Sequence, residues 1–238
     1  FVSDNVLLHF IALGIDAFCL ISVPCFLMIS GALLLEDEGG SSWKCLKRRL
    51  IKQGLPFFVW RVIYVVARII LNKIPASIQA FTSLLYEPAY YQFWFMYTLM
   101  AIYLLLPALI PLVHHISKKV YQYIIVVWML FSVLQPTLGY FFSAFRLSEH
   151  IDLVICEGYL GYFLLGYYLK KYGEEITVKK AVWLFICGCS LTAACISGEY
   201  IFYGMDFQGY FYSSYLTPGV VLASAGVFLF FQNRPFNN

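Results

Sequence analysis

The chain has 238 residues, of which 61% are hydrophobic, 19% aromatic and only 12% charged, with a mean hydropathy of +0.76. So little charge cannot cover the surface of a water-soluble domain of this length, which excludes that class. The formal net charge of +3 informs less than where the charges sit along the chain.

Seven apolar spans are predicted in chain order, over 6–35, 55–72, 93–113, 120–138, 151–169, 182–198 and 214–231. Several reach or approach the ~20 residues that cross a bilayer core as a helix. They are too long and too evenly apolar for barrel strands with alternating faces. The fold expected is therefore an all-α, polytopic transmembrane helical bundle of about seven spans, forming one domain over 1–238. The first run is long enough to tilt or to begin as an interfacial turn. No soluble domain, linker or repeat is visible.

The connections carry the topology. After the first span comes EDEGGSSWKCLKRRLIKQG, read as a loop holding Lys44, Lys47, Arg48, Arg49 and Lys52, and the apolar phase resumes at Leu55-Pro56. Later connections hold Lys73, then Lys118 and Lys119, then Arg146, then Lys170, Lys171, Lys179 and Lys180. The stretch around 198–213 holds no basic residue, and Arg234 follows the last span. This alternation of rich and poor loops fits an odd number of helices with the N-terminus outside and the C-terminus inside. No basic region precedes the first apolar run, so no signal peptide is read. The start at Phe1 and the end at PFNN suggest a piece of a longer protein. The seven cysteines lie mostly within apolar runs and form no CxxC pair, which reads as buried free thiols rather than disulfides or a metal site.

Aromatic residues cluster at the expected outer boundary: Tyr86, Tyr90, Tyr91, Trp94, Tyr140, Tyr203, Tyr210, Tyr212 and Tyr215. They read as an interfacial belt, or more sharply as a platform on which sugar rings stack. Charges inside spans are costly and face a cavity or a partner. Asp16, Arg61, Arg68, Asp152, Glu157 and Glu199 are of this kind. Glu157 entering from outside and Arg61 from inside suggest a polar seam, bounded also by Ser30 and Trp94. Ion pairs of Asp16 or Glu157 with Arg61 or Arg68 are the structural alternative. His9 and His150 fall near the outer boundary and His114-His115 in an inner loop, so none reads as an intramembrane base. No GxSxG, HExxH, Walker or GxGxxG pattern occurs.

Three stretches together resemble the acyltransferase family 3 membrane proteins, which O-acetylate cell-envelope saccharides. VPCFLMISGALLL (Val23–Leu35) is similar to the family's VPxFFxxSGxLL segment and, as there, a basic stretch leads on to a proline, here KRRLIKQGLPFFVW. YYQFWFMYTLMAIYLLLPAL (Tyr90–Leu109) resembles HLWFLxxLxxxYLxxP, and EGYLGYFLLGYYL (Glu157–Leu169) resembles GYFxLGYYL. Each motif is apolar and aromatic, hence weak alone; their order and spacing are more specific.

The resemblance implies an O-acyltransferase in the bacterial cytoplasmic membrane, with the lipid bilayer as its surroundings and no nucleic-acid partner. Acetyl-CoA, or another acyl-CoA, is the cytoplasmic donor, and a hydroxyl of an extracytoplasmic saccharide or lipid-linked sugar is the acceptor. No bound cofactor or metal is implied. The family's RxxR element, associated with CoA phosphates, corresponds to Arg49–Lys52, with Arg48 adjacent. The family's catalytic histidine, preceded by an arginine, lies on a span before the SGxLL helix, upstream of Phe1. His9 is on the wrong helix to replace it, so the catalytic residue is unknown here and Glu157, Arg61, Ser30 and Trp94 are supporting candidates. Other departures are Gln92 in place of the HLWF histidine, Lys52 in place of the second RxxR arginine, and seven spans against about ten. Without that histidine, this stretch by itself is not expected to be active. Relatives that resemble export factors leave a permease for saccharide or amino acid as the alternative. A seven-span receptor is a third reading, without a motif of its own.

Overall fold

The computed structural model describes residues 14–71, 77, 94–142, 158–203, 209, 211 and 214–234. Several expectations fall outside them: Glu157, Asp152, His9, His150, Gln92, and the tyrosines at 86, 90, 91, 210 and 212. The described residues are helical, with no strand among them, so the chain is an all-α bundle. Five helical stretches are long and apolar enough to cross a membrane: Gly14–Leu34, Trp43–Ile70, Trp94–His115, Lys118–Phe141 and Val178–Ile201. Two more, Leu160–Tyr172 and Pro218–Asn233, are shorter. We label the helices α1 (Ser22–Leu34), α2 (Trp43–Ile70), α3 (Trp94–His115), α4 (Lys118–Trp128), α5 (Gln135–Phe141), α6 (Leu160–Tyr172), α7 (Val178–Tyr203) and α8 (Pro218–Asn233). A 3-10 turn, Glu38–Ser41, precedes α2.

The chain divides into two compact units, one of residues 1–36 and 116–238, the other of Asp37–His115. The first is built around α6. From Gly161 to Tyr167 every residue of this helix is buried, so it is apolar on all sides, as a helix surrounded by others must be. It crosses α1 at backbone contact. A Cβ on Gly31 would collide with the Phe163 carbonyl, and one on Gly166 with the Met28 carbonyl. Between apolar helices in lipid, such close approach of backbones is a main source of attraction. The same device joins α7 to α8, where Gly188 meets Ala223 and Gly219 meets Thr192.

Helix ends in this unit are satisfied by side chains. Lys170 of α6 donates to the Ala32 carbonyl (3.3 Å) and pairs with Glu36, capping the end of α1. Gln232 of α8 donates to the carbonyls of Leu169 and Lys170 at 3.2 and 3.1 Å, and Asn233 to those of Gly173 and Ile176 at 2.9 and 2.7 Å. Leu169 and Lys170 belong to the last turn of α6, where carbonyls run short of helical partners, while Gly173 and Ile176 lie in the turn that follows it. From α4, the Tyr121 hydroxyl donates to the Leu164 carbonyl and the Trp128 indole to the Gly158 carbonyl, both at 2.8 Å. After Trp128 the helix widens into a π segment, Met129–Leu134, before α5. Pro136 explains the change of register, because it offers no N–H to the carbonyl four residues earlier.

In the second unit α2 differs from expectation. The basic stretch is not a loop. Ser42 is the N-cap, in extended conformation, and its hydroxyl accepts the Lys44 N–H at 3.3 Å. The Lys, Arg, Leu and Gln residues that follow are strong helix formers, so the helix starts twelve residues before the apolar phase. Its 28 residues are about 42 Å long, well beyond a ~30 Å hydrocarbon core. His114 and His115, likewise, are not in a loop but end α3.

Replacing Gly31 or Gly166 by leucine should therefore destabilise the first unit by about 3 kcal/mol or more, since backbone on both sides must move. Gly198→Ala, at a helical position with open space around it, should be neutral or mildly stabilising. Thermal unfolding in detergent checks the contrast.

Candidate functional site

The basic segment of α2 sorts its charges by face. Lys44, Arg48 and Lys52 follow one another at i, i+4 and i+8, within about 80° of arc, and all three are exposed. Arg49 lies on another face and is spent differently. Its guanidinium donates to the Gly40 carbonyl at 3.1 Å and approaches the Asp37 carboxylate at 3.6 Å. A Cβ at Gly40 would come within 2.7 Å of that guanidinium, so a side chain there would push the Arg49 clamp aside. The 3-10 turn is held from its other side by His114, whose Nδ1 lies 3.1 Å from the Glu38 carboxylate. Of the three residues expected to hold the donor, Arg48 and Lys52 present open cationic groups, while Arg49, 17% exposed at its side chain, clamps the turn that leads into the helix.

Deeper in the same unit Arg61 is 5% exposed. Its guanidinium carbon lies 5.4 Å from the Phe57 ring centre and 5.2 Å from that of Tyr97, and the two rings meet edge to face at 5.1 Å. Cation–π attraction is strongest in such a desolvated setting. Phe57 is one helical turn before Arg61, and Tyr97 comes from the first turn of α3. Trp94, half-buried, begins α3 in the same unit. Ser30 belongs to the first unit, on α1 beside Gly31, and is half-buried. The candidates of the polar seam thus divide between the two units, with Glu157 outside the described residues. Among the described residues no three His, Cys, Asp or Glu side chains gather as a metal site.

The first unit has an intramembrane acid of its own. Glu199, near the end of α7, is 6% exposed, and both its oxygens accept the Phe211 N–H, at 3.1 and 3.2 Å. It fixes the segment returning to α8, beside an apolar cluster of Ala17, Leu20, Ile196, Phe211 and Val220.

A family model described as an acyltransferase domain, that of acyltransferase family 3, matches residues 2–238. The chain belongs to acyltransferase family 3. No curated protein and no solved structure matches it. As a family member with five helical stretches long and apolar enough to cross a membrane, it is an integral membrane protein and a membrane acyltransferase. The family's stretches now acquire physical content. Val23–Leu35 and Glu157–Leu169 supply Gly31 and Gly166, the two sides of the α1–α6 crossing, and Tyr90–Leu109 supplies Tyr97, which holds Arg61.

Sequence reasoning missed the clamp and the ring pair. The clamp joins Gly40 to a residue nine positions on, which no motif displays. The exposed arc was within reach: Ser42 is a capping residue, and no proline or glycine interrupts 43–53.

Arg49→Ala should loosen the Glu38–Ser41 turn, seen as faster amide hydrogen exchange there. Arg48→Ala and Lys52→Ala should leave that exchange unchanged.

Proposed function

We propose that the chain takes an acyl group, acetyl in the simplest case, from cytoplasmic acyl-CoA and passes it to a hydroxyl of an extracytoplasmic saccharide or lipid-linked sugar. The observation that carries this reading is the exposed Lys44–Arg48–Lys52 arc at the start of α2, a helix longer than the hydrocarbon core is thick. CoA brings phosphate groups. Arginine meets phosphate oxygens bidentately and lysine as a compact point charge, so a one-sided helical arc of both suits that partner. Acyl transfer breaks the thioester C–S bond and forms the ester C–O bond, while the acceptor hydroxyl proton passes to a base and on to the departing CoA thiolate, which leaves as the free thiol. The arc binds the donor and takes no part in that step.

In this reading the basic ends of the helices face the cytoplasm of the cell carrying the protein, since positive residues beside spans stay inside. The acceptor is approached from the other face.

Charge reversal at Arg48 and Lys52 together should weaken acyl-CoA binding by about tenfold or more, since hydrogen bonds to charged groups are worth roughly 1.5–3 kcal/mol each. The wild-type affinity should fall as salt is raised. Titration of acetyl-CoA against both purified, full-length proteins checks this, with thermal unfolding as the control for folding. Equal affinities would reduce the arc to a topology signal.

Orientation has its own test within the first unit. Single-cysteine reporters at Glu174, between α6 and α7, and at Ser214, before α8, should react with impermeant maleimide from opposite faces, Glu174 from the cytoplasm. Reaction of both from one face would overturn the assignment.

A further inference from the structure

A groove of about 340 Å³ runs between α1 and α8 in the first unit. Its walls are Ile29 and Leu33 on one side and Val227, Phe228 and Phe231 on the other, and Lys170, whose ammonium sits on the Ala32 carbonyl, lines it as well. Ala32 belongs to the last turn of α1. From Leu33 the groove extends back along α1 to Cys25, about 12 Å of helix. The volume lies within the range of ligand sites. A long apolar slot with a cation in its lining is complementary to one kind of molecule: a hydrocarbon chain ending in an anion.

We propose that this groove seats the headgroup-proximal part of one acyl chain of an anionic glycerophospholipid, with the lipid phosphate on Lys170. The charge complementarity is specific in its parts. An ammonium has three donors, and Lys170 directs two of them to the Ala32 carbonyl and the Glu36 carboxylate, which leaves one. Lys170 is ion-paired with Glu36, and the Glu36 side chain, 60% exposed against 33% for Lys170, has open space to swing into when a phosphate takes its place on the ammonium. Lys171, exposed, follows directly. The slot lies at the basic ends of its helices, and the cytoplasmic leaflet is where anionic lipids concentrate. The exposed walls, Ile29 and Leu33, open the groove sideways, the direction from which a chain in the bilayer enters. This site does not depend on the donor arc, which is in the other unit.

The test is native mass spectrometry of the full-length protein, delipidated and titrated with phosphatidylglycerol or phosphatidylcholine of matched chains. Wild type should retain phosphatidylglycerol in preference. Leu33→Trp, which fills the groove from its exposed wall, should lose retention of both lipids while unfolding at the wild-type temperature in lipid-free detergent. Lys170→Gln should keep chain binding but lose about tenfold in preference for the anionic lipid, the worth of one charged hydrogen bond. Should Lys170→Gln fail to fold, the Leu33→Trp arm decides alone. Equal retention by wild type and Leu33→Trp would overturn the proposal, as would equal binding of the two lipids by wild type. Displacement of phosphatidylglycerol by palmitoyl-CoA, but by no other phospholipid, would also overturn it and assign the slot to a long-chain donor.

Discussion

The first unit depends on the crossing of α1 and α6 at Gly31 and Gly166. Water is absent from the bilayer core, so apolar burial gives helices no reason to prefer each other over lipid. What remains is close packing, and here the two backbones touch, each glycine facing the other helix's carbonyl. A helix of 13 residues could not hold a place in the membrane by itself. α6 does so because residues 161–167 are covered on every side, Gln232 donates to carbonyls of its last turn, and Asn233 holds the turn after it. Tyr121 and Trp128 hold its other flank by hydrogen bonds to backbone carbonyls. Each tie presupposes the axis that the glycines set.

Basic residues do unlike work in this chain, although composition treats them alike. Lys170 caps a helix, Arg49 clamps a turn, Arg61 is enclosed by two aromatic rings, and Arg48 and Lys52 stand open. The assignments follow from angular position on the helix. Arg48 and Arg49 are neighbours in sequence but 100° apart around α2, which puts one toward the 3-10 turn and the other away from it. A basic pair of this kind can serve the fold and a ligand at once without competition between the two.

The bundle was legible in the sequence because its signal is large: runs of apolar residues long enough for a membrane admit few folds. The boundaries were less so. The span predicted from 55 starts too late, because a change from polar to apolar residues does not mark a helix start where lysine and arginine continue a helix as readily as leucine. The Leu55-Pro56 pair looked like a beginning, yet Pro56 sits inside α2. Gly31 was visible in its motif but its purpose was not, since that needs the opposite carbonyl of Phe163, more than a hundred residues away. For the candidate site, the residue types at 48, 49 and 52 were readable and their division of labour was not.

That difference bears on what a family motif can say about chemistry. The SGxLL-like and GYFxLGYYL-like stretches meet in the helix crossing, where Gly31 and Gly166 are demanded by backbone contact alone. Any protein keeping this crossing needs them, whatever passes through or reacts beside it. Motifs of this type identify the scaffold, and the function grafted on it is carried by groups the crossing does not require. Among the described residues, the cations outside that crossing contact include the exposed arc on α2, Arg61 beside two aromatic rings, and Lys170 at the end of α1. Lys170 and Arg61 are held by partners of the fold, whereas Lys44, Arg48 and Lys52 stand exposed on one face, so the arc is where charge and scaffold separate most clearly.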